Sequence, residues 1–141
     1  MRIFFTLLLL FIATIIFSQD KQKKIHPIDA ECIKCLDKPE NQTTLGMINC
    51  NQKAKKAWEA EMNKYYQLLM KQLSAEQKTK LTSAQDAWVK YKTQEFSFSS
   101  DLYLGMGGTM WKIVATDNQK EIVKERTLLL KSYYESLTEK Y

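Results

Sequence analysis

Between Met47 and Leu104 the chain contains neither glycine nor proline, and from Thr109 to Tyr141 it again contains neither. Those two residues cost a helix interior about 1 and about 3 kcal/mol relative to alanine, so both long segments are free of intrinsic helix breakers. Four Gly and two Pro in 141 residues are also too few for a turn-rich β-sandwich. The expected fold is all-α, in one small domain.

Hydrophobic spacing divides the two segments into helices. Trp58, Met62, Tyr65, Leu69 and Leu73 recur at three- and four-residue steps and predict a helix over about 44–73. Ser74-Ala75-Glu76-Gln77 then has the form of a capping box, which starts a second helix over about 75–96 with Leu81, Ala84, Trp88 and Tyr91 on one stripe. Residues 97–108, rich in Ser and Gly but carrying bulky apolar side chains, are expected to be a loop. A third helical region follows, marked by Met110, Ile113 and Val114 and later by Val123, Leu130, Tyr134 and Leu137, with an interruption expected at Asp117-Asn118. Antiparallel helices of this kind bury one another's stripes, giving a bundle of three to four helices.

The N-terminus constrains compartment rather than shape. Arg2 precedes an apolar run from Ile3 to Phe17, and Ser18 leads into a polar stretch with four charges among residues 19–24. This is the layout of a secretory signal peptide, since about 20 apolar residues are needed to span a bilayer. The expected organisation is a signal peptide over 1–18, a flexible polar arm over 19–34 and a helical domain over 35–141. No Cys directly follows the apolar run, so a lipid anchor there is not expected. The cleaved chain should be exported, to a periplasm or the outside medium, without a membrane span. Its single lost charge, Arg2, lowers the formal net charge from +5 to +4. Lysines and glutamates are interleaved, and no nucleic-acid-binding motif is present.

Export favours oxidised cysteines. Of Cys32, Cys35 and Cys50, the preferred pairing is Cys35 with Cys50, which would tie the entry segment to the first long helix and leave Cys32 spare or competing for the same partner. A redox CxxC lacks its βαβ context, haem attachment fails because Leu36 stands where a His is needed, and zinc would require His26 as fourth ligand. No metal or cofactor is expected.

A search for catalytic chemistry finds little. His26 is the single histidine and lies in the polar arm, and the carboxylate pairs Glu59 with Glu61 or Glu95 with Asp101 are ordinary for helices of this composition. Gly105-x-Gly107-Gly108 lacks the Lys-Ser/Thr of a nucleotide loop. The tryptophans and tyrosines are read as core, and Asn63 and Gln85 as buried hydrogen-bonding residues. A non-enzymatic role is expected.

Several segments together carry a family resemblance: Cys35, Thr43-Thr44 and Cys50, then Glu61-Met62-Asn63-Lys64-Tyr65-Tyr66, then Leu81 with Ala84-Gln85-x-x-Trp88-x-x-Tyr91, and finally Gly107-Gly108 with Arg126. Over roughly 32–135 the chain resembles the lysozyme inhibitor LprI N-terminal domain family, whose members are small, exported, helical and bacterial. The resemblance implies structural roles for Glu59, Asn63, Tyr66, Gln85, Trp88, Tyr91, Gly107, Gly108 and Arg126, and an ion pair between Glu59 and Arg126. Departures are present too: Phe96 and the region near Asn118 lack the third and fourth Cys of many members, and Lys92-Thr93 stands where Arg-Asp is frequent. Apolar packing by Phe96 is expected in place of the missing disulfide.

The function implied is that of an exported binding protein, with a peptidoglycan-degrading lysozyme as the partner. A cleft-blocking inhibitor needs a protruding feature, and the 97–108 loop, with Ser99, Asp101 and Tyr103, is the expected contact. The alternative is an envelope interaction module that binds cell-wall polymer or another exported protein, which the basic balance suits better, because many animal lysozymes are themselves basic.

Overall fold

The computed structural model describes residues 25–139. The expected signal peptide and residues 19–24 of the arm lie outside that range. Among the described residues there are four α-helices, α1 (Pro27–Leu36), α2 (Thr44–Gln72), α3 (Ala75–Gly105) and α4 (Met110–Thr138), with a 3-10 turn at Pro39–Asn41. Among the described residues there is no strand, and no helix is long and apolar enough to cross a membrane.

The segment expected to be a flexible arm is helical where it is described. Pro27 occupies the first turn of α1, where a missing N–H costs nothing, and His26 Nδ1 accepts from the Ile28 amide at 3.3 Å as an N-cap. Asp29 in that turn complements the helix dipole. Helix α1 then packs along the first half of α2 and is fixed there by the Cys35–Cys50 disulfide, with Cα atoms 5.8 Å apart.

Helix α2 starts at Thr43, whose hydroxyl accepts from the Gly46 amide at 3.0 Å. Gly46 must be glycine, since a Cβ there would lie 2.5 Å from the Asn41 carbonyl oxygen. The core is chiefly the α2–α4 interface: Cys50, Ala54, Trp58 and Leu69 of α2 meet Ala115, Val123, Thr127 and Leu130 of α4. Thr127 is fully buried, and its hydroxyl lies within hydrogen-bond distance of the Trp58 carbonyl (3.1 Å) and of its own-helix Val123 carbonyl (2.8 Å). The Val123 carbonyl satisfies this buried hydroxyl within α4, which lets Thr127 sit against the α2 backbone at Trp58 without an unpaired donor.

The capping box at Ser74 is formed as expected, with Gln77 N donating to Ser74 Oγ at 3.3 Å and Ser74 N to Gln77 Oε1 at 3.0 Å. Helix α3 does not end at residue 96, however, and continues to Gly105. Ser97, Ser99 and Ser100 had suggested a loop, but the Ser99 hydroxyl donates back to the Phe96 carbonyl and Ser100 Oγ accepts from Gln119 Nε2 of α4 at 3.2 Å. Ser99 is thus satisfied by its own helix and Ser100 by the neighbouring one. What remains of the loop is a tight turn, in which Gly107 and Gly108 take φ of 74° and 78°. Nor is α4 interrupted at Asp117-Asn118, because Asp117 is absorbed by a pairing with Lys120 one turn on. Helix α3 lies against α4, so the layers run α1, then the α2–α4 pair, then α3.

Candidate functional site

Three places combine chemistry with access. The first is a groove between α3 and α4. Trp88 and Tyr91 stand one turn apart on α3, and with Ile122, Glu125, Arg126 and Leu129 of α4 they line a cavity of about 240 Å³. Arg126 Nε donates to Gln85 Oε1 at 3.0 Å, and Gln85 Nε2 contacts Met62 Sδ of α2 at 3.7 Å. Gln85, Trp88, Tyr91 and Arg126 are thus brought together at one place.

The expected pairing of Glu59 with Arg126 is not formed. Glu59 lies 3.8 Å from Lys92 instead, and Lys92 reaches across α3 with its ammonium 5.3 Å from the Trp88 ring centre and 5.8 Å from that of Phe96. Lys92 thus takes the glutamate, and Arg126 is left with a neutral amide. Burial pushes the Arg126 pKa down, and its Nη2 is buried without a hydrogen-bond partner. Phe96 packs less deeply than expected and lies beneath the ammonium groups of Lys55 and Lys92. Tyr66 hydrogen-bonds Thr82 at 3.2 Å, joining α2 to the start of α3. Asn63 is exposed rather than buried, and Tyr91 is 51% exposed rather than core.

The second place is the tip of the α3–α4 hairpin. Phe98, Leu102, Leu104, Met106 and Met110 are all exposed, Phe98 by 62% and Met110 by 69%. From Ser97 to Trp111 the one charged residue is Asp101, which is also exposed. Tyr103 stacks on Trp111 across the turn, with ring centres 5.9 Å apart and planes 11° from parallel. Of the three residues expected to contact a partner, Asp101 is free to do so, Tyr103 is half-buried in this stack, and Ser99 is 3% exposed and turned into the fold. The sequence marked this segment as the contact through Ser99, Asp101 and Tyr103, whereas the side chains most exposed there are Phe98, Leu104, Met106 and Met110.

The third place is the α1–α2 junction. Cys35 and Cys50 form the expected disulfide, and Cys32 is a free, buried thiol that contacts the Cys50 carbonyl and Asn51 Oδ1, both at 3.9 Å. Burial raises its pKa, with Lys120 opposing and Asp117, Asp29 and Glu121 adding to the rise. His26 stacks on Trp58 with ring centres 4.3 Å apart, in addition to capping α1. Asp29 accepts from Trp58 Nε1 at 3.2 Å and pairs with Lys124 at 2.8 Å, docking α1 onto both core helices. Of the carboxylates considered for catalysis, Glu59 is engaged by Lys92 and Glu61 by Lys64 at 2.7 Å.

A family model described as lysozyme inhibitor LprI matches residues 35–130. No curated protein matches the chain. Among solved structures, the chain is similar to that of an uncharacterised protein from Burkholderia thailandensis, at 26% identity and a TM-score of 0.75. The alignment covers 80% of this chain and 56% of the other, so the chain spans little more than half of that protein.

Proposed function

The chain belongs to the LprI lysozyme-inhibitor family, and from that premise we propose that it is an exported, non-enzymatic binding protein that blocks a peptidoglycan-degrading lysozyme with the tip of its α3–α4 hairpin. The observation that carries the reading is the exposure of Leu102, Leu104, Met106 and Met110 around one turn, in a stretch whose one charge is Asp101. Exposed apolar side chains clustered at a protrusion are what a concave partner buries, and each one fully buried contributes roughly 1.5–3 kcal/mol. Asp101 and Tyr103 belong to the same surface, whereas Ser99 holds it from within.

Net charge also bears on the reading. A basic chain and a basic lysozyme repel at long range, which slows encounter more than it weakens the docked complex. The tip carries none of the basic excess, so the contact itself meets no like charge. The basic balance remains the observation that favours the second reading, an envelope module that binds anionic cell-wall polymer.

The test is hydrolysis of peptidoglycan by animal-type and goose-type lysozymes with the purified, oxidised protein added, at several ionic strengths. Dose-dependent inhibition at a fixed stoichiometry, lost by tenfold or more in Leu104→Asp, is the expected result. Absence of inhibition at large excess of folded protein, together with salt-sensitive retention on cell-wall polymer, would move the function to the second reading.

A further inference from the structure

Cys32 and Cys35 stand one turn apart on α1, and both are turned toward the same residue of α2. Cys35 is bridged to Cys50, and the Cys32 thiol lies 3.9 Å from the carbonyl oxygen of Cys50. All three cysteines share the lining of an apolar cavity of about 250 Å³ with Ile28, Ala54 and Ala57. Cys35 differs from Cys32 in two respects: it is less buried, and its sulfur lies 3.5 Å from Asn41 Nδ2, an amide held beside it by donating to the Cys35 carbonyl at 2.8 Å.

We propose that Cys32, Cys35 and Cys50 form a thiol–disulfide exchange site, in which Cys32 displaces Cys35 from Cys50 and leaves Cys35 as the thiol open to covalent modification. The Cys32 thiol gives its proton to water, and the resulting thiolate attacks the Cys50 sulfur. A Cys32–Cys50 bond forms as the Cys35–Cys50 bond breaks, and the electron pair of the broken bond stays on Cys35. Asn41 donates to that departing sulfur, which then takes a proton from water. One disulfide and one thiol are present before and after, so no external oxidant or reductant is needed. A leaving thiolate that is better stabilised leaves faster, which assigns the departing role to Cys35 and the shared role to Cys50.

The consequence is a bridge that moves one turn along α1. The thiol freed by the move is the partly buried Cys35 rather than the buried Cys32, so a small uncharged thiol reagent should react faster with the exchanged form. The groups that face Cys32 are Asp29 of α1, Asn51 of α2 and Asp117, Lys120 and Glu121 of α4. Its buried thiol ionises with difficulty, so exchange should be slow at neutral pH and quicken as pH rises.

The sequence supplies a direct readout. Trypsin cuts after Lys34 and Lys53, and Pro39 protects Lys38, so Cys32 falls on peptide 25–34 while Cys35 and Cys50 share peptide 35–53. The oxidised protein is incubated at about pH 8.5, near the ordinary thiol pKa, then quenched in acid, unfolded, labelled with N-ethylmaleimide and digested. The expected result is label on Cys32 at the start, followed by a growing cross-link between the two peptides with label on Cys35. Asn41→Ala should slow that growth. Label that stays on Cys32 alone throughout, while the same protein exchanges freely in guanidinium, overturns the proposal. A second variant, Cys35→Ser, should form the Cys32–Cys50 bridge on oxidation and remain helical by circular dichroism. A helical Cys35→Ser protein that keeps two free thiols under the same oxidation would also overturn it.

Discussion

Helices α2 and α3 are nearly equal in length, 29 and 31 residues, yet α2 buries six residues and α3 buries Ser99 alone. The difference lies in how apolar residues are placed. Cys50, Ala54 and Trp58 of α2 follow one another at four-residue steps, so one line of side chains enters the core between α1 and α4. On α3, Val89, Tyr91, Phe98, Leu102 and Leu104 are distributed around the helix, and no single neighbour can cover them. The first helix holds the fold together, whereas the second is attached along one side and leaves apolar surface for something else.

Replacing one tryptophan in each helix tests that division most severely. Trp58 has no exposed surface, stacks on His26 and donates to Asp29, so Trp58→Ala should cost about 3–5 kcal/mol and loosen α1 as well. Trp88 lines an open groove, and Trp88→Ala should cost about 1–2 kcal/mol. Thermal unfolding of both variants measures the contrast. Equal losses would mean that α3 is as much part of the core as α2.

The disulfide comes next. Closing a loop of about 15 residues is worth roughly 3 kcal/mol in the chain-entropy model, so a Cys35→Ser, Cys50→Ser double variant should lose about that much. Hydrogen exchange should show the loss concentrated in α1 and the start of α2, with α3 protected as before. A uniform loss along the chain would argue that α1 is not a separate layer.

A smaller effect is expected from alkali. Burial works to lower the pKa of Lys124, but its contacts with Asp29 and Glu121 outweigh it and the net shift is upward. A lysine held above its unfolded value contributes stability that is fully present below pH 10.5 and is lost as pH rises through the folded value. Unfolding monitored across that range should therefore show declining stability. Lys124→Met should flatten the decline and cost about 1 kcal/mol at neutral pH, through the lost bond to Asp29.

What could be read from the sequence follows from the same contrast. The all-α fold, the capping box at Ser74 and the Cys35–Cys50 bridge were legible because each depends on local chemistry: missing helix breakers, a four-residue cap signature and cysteine arithmetic. The helix at Pro27–Leu36 was readable in principle from a proline at its first turn and Asp29 beside it, but four charges among residues 19–24 coloured the whole segment as an arm. The extension of α3 to Gly105 was not legible, since small serines read as loop until a neighbouring helix supplies their partners. The family pattern singled out Gln85, Trp88, Tyr91 and Arg126 without saying that they meet, and the structure lines them along one groove. The expected partner of Glu59 was not legible, because an ion pair depends on which of two cations reaches it, and here Lys92 does while Arg126 bonds Gln85.

The smallest effect on stability is expected from replacing Leu104 at the tip, and the same replacement should have the largest effect on function. Leu104 is half-exposed, so Leu104→Asp removes little buried surface and should change stability by no more than about 0.5 kcal/mol. The same change places a carboxylate within the surface proposed to enter a lysozyme cleft, where an unpaired charge loses its water, so binding should fall by tenfold or more. Gly107→Ala separates shape from surface at the same place. Its φ of 74° is strained for any residue with a Cβ, at roughly 1–2 kcal/mol, although a Cβ there meets nothing within 4 Å. If the tip acts as a rigid wedge, Gly107→Ala should weaken inhibition while leaving every apolar side chain in place. If it acts as an apolar patch that adapts to its partner, Gly107→Ala should inhibit nearly as well as the parent while Leu104→Asp does not. Measuring both variants against one lysozyme therefore decides how the exposed helix works, and an unaltered response in Leu104→Asp would move the contact away from the tip to the groove that contains Arg126.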